Sequence, residues 1–149
     1  LEYHRGIGCV LFIIFLDNCS DGTGKYFSSH KDVLVLSSQV RAEKTIWPEQ
    51  FRCLLSRASE SYDIRKVLNT FLASEVCKER QIEWLISIDP DELVYLASNP
   101  RHFVDYLQNV PNEIDQILFR NIELIVDANL DKGEKMLQVH YIFIDIWTF

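Results

Sequence analysis

Several things are scarce in this chain, and each scarcity excludes a class. Five glycines and four prolines in 149 residues leave no collagen-like, linker-like or low-complexity tract. No apolar run reaches the roughly 20 residues that a membrane-spanning helix needs. The longest, "IGCVLFIIFL" at 7–16, is half that length. Its flank lacks the small residues of a signal-cleavage site, since Asp17 and Asn18 precede Cys19, so it reads as a core strand. Lys and Arg form no cluster, which removes the electrostatic footprint of a nucleic-acid binder. Cys9, Cys19, Cys53 and Cys77 make no Cys-x-x-Cys pair, and His4, His30, His102 and His140 make no metal-binding spacing. The expectation is therefore no cofactor and no metal. Reduced thiols in a cytoplasmic protein are the default, with two disulfides in a secreted protein as the alternative. No Gly-x-Ser-x-Gly elbow or calcium-loop pattern is present either.

What is present is an ordinary globular composition, 48% apolar and 25% charged, in a length that suits one domain over residues 1–149. The net charge of −7 is unevenly spread. Residues 1–44 carry five basic and five acidic side chains, residues 45–110 seven and ten, and residues 111–149 three and seven. Such a surface repels polyanions and attracts a basic protein partner.

The apolar pattern predicts strands at 7–16 and at "DVLVLSS", 32–38, and a last strand in "MLQVHYIFIDIWTF", 136–149. Between them lies a helical block. Trp47-Pro48 opens one helix. Ser61 or Asp63 caps a second, with an apolar stripe of Ile64, Val67, Leu68, Phe71 and Leu72. Ser74 is a cap for a third, running on through Ile82, Trp84 and Ile86. "DPDELVYLASNP" and "RHFVDYLQNVP" read as two short helices, and Asn112 to about Asp131 as a long one. The expected fold is α+β: a small sheet pairing the N- and C-terminal strands, with about five to six helices packed on it.

"FIIFLDNCSDGTGKYF", 12–27, raises the question of a phosphate-binding loop. The eight-residue window 19–26 has Cys19 where the first Gly belongs and Tyr26 where Ser or Thr should meet a metal. No helical stripe follows, so a hairpin or other excursion between two strands is expected and nucleotide binding there is not. Cys19, in a polar loop, is the candidate if a thiol nucleophile exists. Asp145, among Phe143, Trp147 and Phe149, is either a pocket acid or an edge residue open to water.

No motif carries a family resemblance, so the functional reading rests on surface character. The first reading is a non-enzymatic protein-binding module, concretely a toxin-neutralising immunity protein or inhibitor that masks a basic partner. Its face would combine Asp89, Asp91, Glu92, Asp105, Glu113, Glu123 and Asp127 with Tyr95 and Tyr106 as aromatic anchors. The alternatives are a small enzyme or enzyme domain with a site assembled from dispersed His, Cys and carboxylate residues, and a structural subunit of a larger assembly.

Overall fold

The computed structural model describes residues 1–37, 47–96, 103–119 and 145–148. Its elements in chain order are α1 (Glu2–Gly6), β1 (Phe12–Leu16), α2 (Thr23–Ser28), β2 (Val33–Ser37), α3 (Glu49–Leu55), α4 (Tyr62–Glu79), β3 (Trp84–Ile86), α5 (Phe103–Gln108), β4 (Gln116–Leu118) and β5 (Asp145–Thr148). The α+β class is borne out. The chain divides into two compact units, Val10–Gln81 and the combination of Leu1–Cys9 with Ile82–Phe149.

The unit Val10–Gln81 begins with a parallel pair. β1 and β2 run in the same direction, with Phe12 opposite Val33 and Leu16 opposite Ser37. Of the hairpin or excursion expected between the two strands, the hairpin is thus corrected. A parallel pair needs a crossover of about a dozen residues or more, usually helical, and α2 supplies it. Asn18, at φ 52°, takes the left-handed turn out of β1, a conformation that Asn tolerates. The predicted strand 7–16 is also shortened, because ordered pairing begins only at Phe12.

α4 starts where the sequence places it. Ser61 Oγ accepts the N–H of Ile64 and caps the helix. Ser74 is not a cap for another helix. It lies inside α4 and donates its hydroxyl back to the carbonyl of Phe71, which satisfies a polar group in mid-helix. The helix ends at Glu79 with Arg80 as its C-cap, and the next residue, Gln81, adopts φ 56° and donates its N–H to the carbonyl of Lys78. Leu68 and Leu72 pack with Trp47 to form the core of this unit, joined by Phe15, Phe51, Ile64 and Phe71. Val67, assigned to the same stripe by spacing, is 47% exposed. Asp17, just beyond β1, is paired with Arg65 of α4 at 2.7 Å.

The second unit holds a three-stranded antiparallel sheet in the order β3-β5-β4. Trp84 faces Thr148 and Ile86 faces Ile146, while Gln116 faces Trp147 and Leu118 faces Asp145. Three expectations are corrected here. Among the described residues the C-terminal strand pairs with 84–86 and 116–118 and the N-terminal strand with 33–37, where one sheet pairing the two was expected. Residues 84–86 extend a strand rather than a third helix: Trp84, Ile86 and Ile88 alternate onto one core, which is the period of a strand. Residues 112–113 form a turn and 116–118 a strand, where a helix capped by Asn112 was expected. The remainder of that expected helix, 120–131, and residues 136–144 of the last expected strand lie outside the described residues. Asp145 belongs to the central strand of the three, not to an edge.

The core of this unit is Ile7, Val94 and Phe103. α1 is drawn onto it by Ile7 and by the Tyr3 hydroxyl, which donates to the carbonyl of Val94. His4 is buried on this helix, and its Nε2 has no hydrogen-bond partner among the described residues. Burial holds the imidazole below its ordinary 6.5, because the charged form loses its water. The folded state therefore refuses a proton that the unfolded chain accepts. His4 contributes full stability above pH 6.5, and the contribution is lost as pH falls below it. Urea midpoints measured between about pH 7.5 and about pH 5.5 should fall more steeply for the natural chain than for His4→Phe, by up to one proton's slope, about 1.4 kcal/mol per pH unit. Parallel pH profiles for the two proteins would show that His4 is not responsible.

Candidate functional site

The carboxylates that the sequence groups at 89–92 sit on a tight turn just after β3. The Glu92 N–H donates to the carbonyl of Asp89 at 3.1 Å, closing a four-residue turn with Pro90 in its second position. The Asp89 N–H donates in return to Glu92 Oε2 at 2.7 Å. This reciprocal clasp is half of a helix capping box. It forms without a helix behind it: 93–96 do not wind, and Val94 is 2% exposed in the core. Asp-Pro-Asp-Glu suits a turn as well as a helix start, which is why the short helix read over 89–100 is not found across the described residues 89–96.

The clasp sorts the three acids into different roles. Glu92 is 3% exposed and spends one oxygen on the turn itself, so it shapes the backbone. Asp89 is half-buried and Asp91 is exposed. The turn therefore presents Asp91 to solvent on a segment whose two ends are fastened to each other. Tyr95, close behind it, is 44% exposed.

The other predicted site residues are placed separately. Asp105 and Tyr106 are exposed on α5, and Glu113 is exposed in the turn before β4. Glu123 and Asp127 lie outside the described residues. Glu113 precedes a strand, so the helical stripe that was to align it with Glu123 and Asp127 does not begin there.

The loop 19–26 differs from its sequence reading in one respect. A helix does follow β1, so the strand–turn–helix context is present. The chemistry at the turn is nonetheless occupied internally. The Thr23 N–H donates to Asp21 Oδ1 at 3.0 Å, and the Thr23 hydroxyl and N–H together hold the Asp21 carboxyl below its usual range. A fixed negative charge on the first turn opposes phosphate. Cys19 is an exposed free thiol, and Cys9, Cys53 and Cys77 are free as well. Burial pushes the Cys9 and Cys77 thiols up, away from the reactive thiolate form. Among the described residues no group of three or more His, Cys, Asp or Glu side chains could hold a metal ion, and no helix is long and apolar enough to cross a membrane.

Comparison with known proteins adds a separate observation. The chain is similar to two glycosyltransferase-like proteins of Arabidopsis thaliana. It is 23% identical to one over 137 residues and 22% identical to the other over 139 residues. The matches cover 85% and 87% of this chain but only 30% and 27% of those relatives, so the chain spans less than a third of their length. No family model matches the sequence, and no solved structure matches it.

Proposed function

We propose that this chain is a segment of a glycosyltransferase-like protein and that the turn Asp89–Glu92 takes part in holding an activated sugar donor. The observation that carries the reading is the likeness to the two plant proteins over more than four-fifths of the chain. It moves the enzyme-domain alternative ahead of the binding module. Two features of the fold support it. The β1–α2–β2 unit is a parallel crossover, the building block of sheets that bind ligands beyond the carboxyl ends of their strands. The acidic turn follows a strand directly and holds its exposed carboxylate on a clasped backbone.

Glycosyl transfer separates a sugar from a leaving group that departs with negative charge, commonly a phosphate. Carboxylates alone would repel such a group. Asp89 and Asp91 offer hard oxygen donors of the kind that share a divalent cation with substrate phosphates, an arrangement that needs only one or two protein carboxylates. Glu92 holds the turn by its hydrogen bond to the Asp89 N–H, and Asp91 meets solvent and ligand. A thermal-shift screen of nucleoside diphosphate sugars with and without magnesium or manganese tests the reading. A shift with one donor class, lost when the metal is chelated, supports it. The absence of a shift with every donor counts against it.

A second reading, docking of a basic protein partner, is favoured by one observation. Tyr106 is 42% exposed on α5 directly beside the exposed Asp105, with no Lys or Arg between residues 103 and 119. Charge reversal at Asp105 and Glu113 to Lys should slow association with a basic partner about tenfold at low ionic strength and leave the fold intact. Association rates that do not change would remove this face as the docking surface.

A further inference from the structure

We draw no further inference here: the strongest candidate, the open apolar groove of about 440 Å³ formed by the end of α5, the turn after it and β4 and lined by Tyr106, Val110, Ile114 and Leu118, carries nothing because nothing in the structure shows what covers it.

Discussion

Gly8→Ala should destabilise the unit that contains α1 by about 2–4 kcal/mol. Gly8 follows the C-terminal end of α1 at φ 104°, a backbone conformation that side-chain-bearing residues rarely adopt. An added Cβ would also clash with Val104 Cγ2 and stand 3.5 Å from Val104 Cβ. Both costs act at once. The steric part is hard to relieve, because Val104 belongs to α5 and a β-branched side chain in a helix has one strongly preferred rotamer. Moving the backbone instead would disturb Ile7, which is 4% exposed one residue earlier. For a chain of this length the loss corresponds to a melting temperature lower by about 5–15 °C. The double variant Gly8→Ala with Val104→Ala separates the two terms. It removes the clash and leaves the positive φ, so it should recover roughly half of the loss. A Gly8→Ala protein that melts with the natural one would show that the segment 7–9 does not pack on α5 in this way.

Leu68→Ala should cost about 3–5 kcal/mol, the upper part of the range for deleting a buried leucine. Leu68 has no exposed surface and packs in the core with Trp47 and Leu72. What surrounds it decides where in the range it falls. Trp47 and Phe71 have ring centroids 5.2 Å apart, and Phe51 and Phe71 4.6 Å apart. Rings held against one another cannot slump into the space left by a leucine as flexible aliphatic chains can, so most of the cavity persists. Val67, the preceding residue, is a built-in control. It is 47% exposed, and Val67→Ala should change stability by less than about 1 kcal/mol. Denaturant midpoints for the two variants check this. Equal effects would mean that the face of α4 turned inward is not the one described.

Legibility followed the range of the interactions involved. The start of α4 could be read because a cap is local: Ser61 and Ile64 are three residues apart. β2 and α5 were readable for the same reason, being short apolar segments bounded by polar turns. The errors fall where pairing is distant. Ile114, Ile117 and Leu118 fit a helical stripe as well as a strand, and what makes 116–118 a strand is its antiparallel pairing with 145–148, far along the chain. The alternation of Trp84, Ile86 and Ile88 was visible in the sequence, but the apparent cap at Ser74 drew that segment into a helix. The end of α4 gave no glycine to mark it, since Gln81 takes the positive φ. The crossover between β1 and β2 did leave a sign. Residues 17–32 are too many for a tight hairpin and enough for a helix.

The candidate site was half legible. Asp89, Asp91 and Glu92 were singled out by their charge, but as one acidic face. Their division into a clasping Glu92 and a presented Asp91 depends on a hydrogen bond that composition cannot reveal.

The proposed role of the turn 89–92 in holding a sugar donor is tested by saturation-transfer NMR on the full chain with UDP-glucose, UDP-galactose and GDP-mannose in the presence of magnesium. Transfer to the protons of at least one of these donors is expected for the natural chain. That signal should be lost in Asp91→Asn, an exposed substitution that should leave stability within about 0.5 kcal/mol. No transfer to any donor, or transfer undiminished in Asp91→Asn, would contradict that role.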